Sequence, residues 1–286
     1  MCKLEVEMNK LVSVIMPCYN DGKYIKEAIQ SLKEQTYPFW ELVVIDDGST
    51  DKETIKIVES LESENITVLH SKHLGPSGAR NYGIQCAKGK YILPLDSDDK
   101  IASTYMEKAV HILENDSDIG VVYCEADLFG EKNGKWDLPA YSFEQMLIDN
   151  VVFITALFYK EDWEKVGGFN VNMKQGMEDY DFWLSILELG RTIYQIPEIL
   201  FHYRIKPVSR TTKFQSETNR MKEAYRQIYH NHKDFYERNS EQYALLLRDA
   251  LIEQIHIRMQ YEKVLDKAKI LTKIPVIRTI IHWMTR

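Results

Sequence analysis

Three of the four residues in DSDD (96–99) are aspartates, and they follow the apolar run of YILPLDSDDK (91–100). Like charges this close repel one another at neutral pH, so the cluster is either a solvated turn or a place where a cation sits. Asp96 and Asp98, one residue apart, offer hard oxygens of the kind Mg²⁺ or Mn²⁺ prefers, with coordination positions left for phosphate oxygens. A second acidic tip, DDGS (46–49), follows four apolar residues, and Gly48 lets the chain turn. This pattern suits a β-turn followed by a helix cap. It equally offers a carboxylate to the N–H groups of a ligand, such as the edge of a base. A third segment, QGMEDYDFW (175–183), crowds Glu178, Asp179 and Asp181 into what reads as the first turn of a helix. Acids there complement the macrodipole, and one at a site lip has the chemistry of a general base towards an alcohol. Basic groups are sparser. Arg80, in HLGPSGARNYG (73–83), carries a fork that fits a phosphate or a carboxylate, or else lies on a helix surface. His202, Arg204 and Arg210, in LFHYRIKPVSR (200–210), matter only if that segment folds back over the acidic crevice.

The elements that would hold these groups alternate regularly through the first 130 residues. Apolar strands are expected in LVSVIMPCY (11–19), WELVVIDD (40–47), ITVLH (66–70) and KYILPLD (90–96). Helices are expected in GKYIKEAIQSLKEQ (22–35), DKETIKIVESLE (51–62), PSGARNYGIQCAKG (76–89, closed by Gly89) and STYMEKAVHILEN (103–115). DIGVVYCEADLFG (118–130) reads as a further strand pair, NVVFITALFYK (150–160) as strand-like, and TIYQIP and ILFHYRI as two strands. Near-continuous apolar strands alternating with helices predict a parallel sheet covered on both faces. Ligands of such sheets bind beyond the carboxyl ends of the strands, so both acidic tips should face one crevice.

The chain has 286 residues, 44% of them hydrophobic and 28% charged, enough for one large domain or a domain with an appendage. A net charge of −7 gives no electrostatic support to general nucleic-acid binding. Cys2, Cys18, Cys86 and Cys124 show neither C-x-x-C nor zinc spacing, which reads as a reduced, cytosolic protein. No signal peptide opens the sequence, and no apolar run is long enough to span a bilayer. From about residue 216 the chain turns charged and glycine-free, so the expected division is a domain over 1–215 and a helical extension over 216–286. The last segment, DKAKILTKIPVIRTIIHWMTR (266–286), combines basic and apolar faces with Trp283. It suits an interfacial helix on an anionic membrane, or one packed on protein.

Taken in order, VSVIMPCYNDGKYIKEAIQSLKEQTYPFWELVVIDDGSTD, GPSGARNYGIQCAKGKYILPLDSDD and VGGFN…MEDYDFWLSILELG resemble the family 2 glycosyltransferases over about residues 11–205. The resemblance implies the GT-A fold, a Rossmann-like α/β nucleotide-binding sheet, here with a C-terminal helical extension. It also implies inverting transfer of a hexosyl or N-acetylhexosaminyl group from a nucleotide sugar, most often a UDP-sugar, to an acceptor hydroxyl, with Mn²⁺ or Mg²⁺. Pro17, Tyr19 and Asn20 match the stretch along the uridine, and Asp47 the carboxylate that receives the uracil N–H. His73 stands where many relatives carry Asn. Arg80 matches a basic residue near the nucleotide. Asp96 and Asp98 match the D-x-D acids, with Asp96 on the ribose or sugar side, Ser97 beside it on the nucleotide sugar, and Asp98 on the metal at the diphosphate. Asp99 is an extra acid, and His202 lies where such enzymes sometimes supply a further metal ligand. Asp179 matches the catalytic base and Glu178 its neighbour near the acceptor. Many relatives glycosylate lipid-linked or surface-polysaccharide precursors on the cytoplasmic leaflet, so the expected acceptor is a glycan or lipid-linked glycan and the expected location is cytoplasmic, peripheral to the membrane. Two other classes stay open on the residues: a D-x-D phosphohydrolase, which leaves DDGS and the E-D helix unexplained, and a degenerate transferase acting as an interaction protein.

Overall fold

The computed structural model of the chain describes residues 10–207 and 209–271. The basic C-terminal tail read above as a membrane-facing helix lies, from residue 272 on, outside the described residues.

Four parallel strands form the first half of the sheet: β1 (Val12–Cys18), β2 (Trp40–Asp46), β3 (Ile66–His70) and β4 (Tyr91–Pro94). β1 is apolar and buried almost throughout, as a strand covered on both faces must be. Its register pairs Cys18 with Asp46 and Ile15 with Pro94. The carboxyl ends of β1, β2 and β4 therefore finish side by side, and DDGS and DSDD emerge along one edge. The helices between them are α1 (Gly22–Lys33), α2 (Lys52–Glu59) and α3 (Gly75–Cys86). α1 buries Ile25, Ala28, Ile29 and Leu32 at helical spacing. α3 ends at Cys86, ahead of Gly89. Gly89 is small for a packing reason instead: a Cβ there would lie 2.6 Å from the Leu11 carbonyl oxygen and from Ser13 Oγ.

Beyond β4 the sheet becomes mixed. In chain order come β5 (Lys100–Ile101), α4 (Tyr105–Asn115), β6 (Ile119–Gly130), β7 (Gly134–Lys135), α5 (Phe143–Ile148), β8 (Leu157–Tyr159), α6 (Lys160–Val166), α7 (Glu178–Glu188) and β9 (Thr192–Ile205). The spatial order is β3-β2-β1-β4-β8-β6-β9-β5, with β7 paired to β6. Two expectations change here. The segment 118–130 holds one long strand, β6, rather than a pair, and TIYQIP and ILFHYRI fuse into β9. The register steps from Cys124–Ile196 to Glu125–Ile199, so Pro197 and Glu198 bulge out of the ladder and the strand continues past a residue that cannot donate to it. Within 150–160 only Leu157–Tyr159 is strand; Val151, Val152 and Phe153 are buried as loop.

α7 sits on an aromatic cluster. Phe182 lies 4.2 Å from Phe169, 5.0 Å from Phe158 and 5.2 Å from Trp183, ring centre to ring centre. Each fully buried ring of this size contributes on the order of 1.5–3 kcal/mol. Trp183 Nε1 donates to the Val152 carbonyl at 3.0 Å and the Tyr180 hydroxyl to the Met146 carbonyl at 2.6 Å. The start of α7 is thus tied to the loop before β8.

Packing divides the chain into a unit ending at Phe235 and a second from Tyr236. The position expected to separate two domains, 215/216, falls inside the first unit, which includes α8 (Arg210–Ser216) and α9 (Thr218–Asn231); α9 buries Ala224 and Ile228. α10 (Lys233–Arg238) spans the division. The second unit contains α11 (Ser240–Leu271), which exposes Leu245, Leu251, Ile252 and Ile255. Among the described residues no helix is long and apolar enough to cross a membrane.

Candidate active site

At the β1 and β2 tips, two residues in the left-handed region bring loops together. Asn20 (φ 54°) accepts the backbone N–H groups of Thr50 and Asp51 at 2.8 and 2.9 Å, which pins the end of β1 to the turn after β2. His73 (φ 54°) lies in the loop before α3. That loop is held by Asp47, whose buried carboxylate accepts from Ser71 Oγ (2.6 Å), Leu74 N (2.6 Å) and Gly75 N (2.9 Å). A carboxylate has about four acceptor positions, so about one of Asp47's remains for an incoming N–H. The Tyr19 and His73 rings, both exposed, stand 4.3 Å apart. Pro17 is half-buried in β1 opposite Ile45. Together these residues place two exposed, mutually tilted rings near a buried acceptor.

The DSDD acids separate by partner. Asp96 Oδ1 accepts from Arg80 Nη2 at 2.8 Å. Asp98 Oδ2 pairs with Lys206 Nζ at 2.7 Å, and Lys206 also pairs with Asp21. Asp99 is buried and accepts the Arg204 N–H at 2.8 Å. Burial, then the neighbouring acids, raise Asp98 and lift Asp99 well above the ordinary carboxylate range. Ser97 is buried, and burial pushes the nearby Cys18 thiol up to about 11, which makes this cysteine unreactive. His202 Nδ1 lies 2.6 Å from Asp127 Oδ1. An ionised carboxylate only accepts, so Nδ1 is the ring nitrogen that donates in this pair. Among the described residues no three His, Cys, Asp or Glu side chains gather closely enough to hold an ion by themselves. The donor set at Asp96 and Asp98 fits a divalent cation that shares its coordination with phosphate oxygens, as Mg²⁺-type sites do.

Lys206 and Asn150 did not emerge from the sequence. For Lys206 a signal existed: His202, Arg204 and Lys206 alternate along a strand and so share one face. Arg204 fixes that face. Its guanidinium lies 4.3 Å from both the Tyr24 and Phe129 rings, and its Nε donates to the Asp98 carbonyl at 2.8 Å.

At α7 the two adjacent acids have opposite surroundings. Glu178 is buried between two arginines: Arg80 Nη1 donates at 3.1 Å, and Arg210 donates twice, at 2.6 and 2.8 Å. Burial opposes its ionisation, but the guanidinium charges of Arg210 and Arg80 outweigh that and hold its pKa near about 2. Among the described residues Asp179 has a single side-chain donor, Asn150 Nδ2 at 3.0 Å. Burial and then the Glu178 charge push it up to about 6. Arg80 is buried and joins the two acid clusters, Asp96–Arg80–Glu178. Asp181 plays no part here; it faces Asn231 and His232 beneath α9. A cavity of about 460 Å³ opens over this row, and its lining includes the charged Arg80, Asp96, Glu178, Asp179 and Arg210 and the aromatic Trp136, Phe153, Phe201 and Tyr203.

If Asp179 is the base, activity should be lost as pH falls through about 6, where it gains a proton and can no longer accept one. Glu178→Gln removes the charge that raises Asp179 and leaves the arginines unopposed, so the limb in its kcat/KM profile should move to lower pH. An unmoved limb would assign it to another group.

The family model "Glycosyl transferase family 2" matches residues 13–172, more than half of the chain. The chain is 30% identical over 200 residues to a Bacillus subtilis protein described as putative teichuronic acid biosynthesis glycosyltransferase TuaG, covering 68% of this chain and 79% of that one. An uncharacterised Haemophilus influenzae glycosyltransferase is 32% identical over 231 residues, covering 73% and 70%. Among solved structures, Staphylococcus aureus TarS 1-349 in complex with UDP superposes with a TM-score of 0.57 at 25% identity, covering 68% of this chain and 61% of that one. The mixed α/β sheet is the GT-A fold, and the chain belongs to glycosyltransferase family 2 and is a glycosyltransferase.

Proposed function

We propose that the enzyme moves a sugar from a nucleotide sugar, a UDP-sugar, to a hydroxyl of a glycan or lipid-linked glycan, with inversion at the anomeric carbon, in the synthesis of a cell-surface polysaccharide. The observation that carries this reading is the Asp96–Arg80–Glu178 bridge, which joins the first D-x-D acid to the helix that places Asp179 on the same cavity. Support for the donor comes from TarS, solved with UDP, and support for the product class from the description of TuaG.

In this reading the base lies at the Tyr19 and His73 rings with its N–H on Asp47, and the diphosphate points to Asp96 and Asp98. Those two carboxylates would hold Mn²⁺ or Mg²⁺, which when bound offsets the charge gathering on the leaving diphosphate. The acceptor oxygen bonds to the anomeric carbon as the bond to the phosphate oxygen breaks; the electron pair leaves with the diphosphate, and the acceptor proton passes to Asp179. Asn150 keeps the Asp179 carboxylate oriented. Glu178, held ionised by two arginines, exchanges no proton near neutrality. It is also locked in ion pairs with Arg80 and Arg210, so Glu178 is not free to act as the nucleophile that retention requires. The basic tail supports a cytoplasmic, membrane-peripheral location.

The test is a panel of nucleotide sugars with Mn²⁺, scoring nucleoside diphosphate release with and without acceptor lipids and the anomeric configuration of the product. Hydrolysis or transfer from a UDP-sugar to the opposite anomer supports the proposal; release only from non-uridine donors, or retention, overturns it. Lys206 bears on the metal separately. Its ammonium occupies Asp98, so Lys206→Met should raise affinity for Mn²⁺ alone by about ten-fold, read by water-proton relaxation without nucleotide. Unchanged Mn²⁺ affinity would place the ion elsewhere.

A further inference from the structure

The aromatic lining of the cavity has no role in the donor chemistry above. Trp136 is held there by a short hairpin: β7 pairs with Asp127 and Leu128 of β6, and Trp136 N donates to the Ala126 carbonyl at 3.0 Å. Its ring lies 4.8 Å from Tyr203 and 6.1 Å from Phe153, stacked on the latter at 20°. Phe153 in turn sits 4.5 Å from Phe201. Trp136 and Tyr203 are only half-buried, so the cluster is a wall of the cavity as well as packing. Rigid aromatic surface opposite a few polar groups is how proteins seat a ligand with one apolar face and a polar edge, and the C–H face of a pyranose ring has that character.

The charges in the same lining narrow the class further. Asp96, Asp149, Glu178 and Asp179 line the cavity, against two arginines among the described residues. Both arginines are committed: Arg210 to Glu178, and Arg80 to Glu178 and Asp96. An anionic acceptor would meet acids without an uncommitted arginine to answer them. We propose that the Trp136–Phe153–Tyr203 wall is the acceptor subsite and that it takes a neutral pyranose at the growing end, in preference to a uronate or a polyol phosphate. This rests on Asp179 being the base, since the ring stacked on Trp136 presents its hydroxyl across the cavity to that carboxylate.

The experiment is saturation-transfer NMR on the full chain with UDP and Mn²⁺, titrating p-nitrophenyl β-glucoside, p-nitrophenyl N-acetyl-β-glucosaminide, p-nitrophenyl β-glucuronide and ribitol 5-phosphate. Saturable binding of a neutral pyranoside, weakened about ten-fold by Trp136→Ala and less by Trp136→Phe, is expected. UDP affinity, measured in parallel, should stay unchanged in both variants. Tighter binding of the glucuronide or of ribitol phosphate, no saturable binding of either neutral pyranoside, or neutral-sugar binding indifferent to Trp136, would overturn the proposal. Wild-type protein that binds the pyranoside but not UDP would instead count against the donor assignment and leave the wall intact.

Discussion

Asp179→Asn is expected to lower kcat by about 10²–10⁴-fold, the usual contribution of a positioned general base, with UDP affinity nearly unchanged. The substitution keeps the side chain's shape, and its amide oxygen still accepts from Asn150 Nδ2, as Asp179 does at 3.0 Å. What it loses is the ability to take a proton. Residual activity should be flat through pH 6, because the group that titrates near there is gone. Steady-state kinetics beside UDP titration separate this from a folding defect. Wild-type turnover in Asp179→Asn would remove Asp179 from the chemistry altogether.

Arg80→Met should be the most destabilising change at the site. The guanidinium is buried and is shared by two carboxylates through different nitrogens, Nη2 to Asp96 and Nη1 to Glu178. Removing one partner of a buried pair costs about 3–5 kcal/mol, because the remaining charge is stranded. Part of that is relieved here, since Arg210 still holds Glu178 and Asp96 is partly open to water. In a chain of this size a loss at the lower end lowers Tm by about 5 °C. The pH dependence follows from Glu178. Its pKa falls from an ordinary 4.5 to about 2 on folding, so its contribution to stability is complete above pH 4.5 and is lost as pH falls towards 2. Arg80→Met forfeits part of that contribution, so the gap between wild type and variant should narrow below pH 4.5. Calorimetry across pH 3–7 reads this directly; a gap that widens on acidification would mean Arg80 acts through packing alone. Arg80→Lys should recover little, since one ammonium cannot reproduce the two-nitrogen fork.

The sequence made some of this arrangement legible and hid the rest for physical reasons. Strand tips could be found because apolar runs end abruptly at DDGS and DSDD, and burial on both faces leaves a one-dimensional signal. The E-D pair could be found as acids at a helix start. Its functional split could not, because the groups that force Glu178 and Asp179 apart lie elsewhere in the chain: Arg80 is 98 positions from Glu178, and Asn150 is 29 from Asp179. Lys206 meets Asp21 across 185 positions, and no local pattern announces such a pair. Pro197 misled in the other direction. A proline normally interrupts a central strand, but a bulge carries it and β9 runs on to place Arg204 and Lys206.

That continuation ties two acid clusters to one short piece of chain. Arg204 is wedged between two rings, Lys206 reaches Asp98, and Arg210 reaches Glu178. The acids themselves come from β4 and α7, far apart in sequence, yet these countercharges are counted off along a single stretch. Gaining or losing one residue between Arg204 and Lys206 would turn the lysine to the opposite face of the strand and shift Arg210 out of step with α7. The spacing of these three basic residues is therefore as much a determinant of the site as their identity, and a one-residue change in length would reset the charge of both clusters at once.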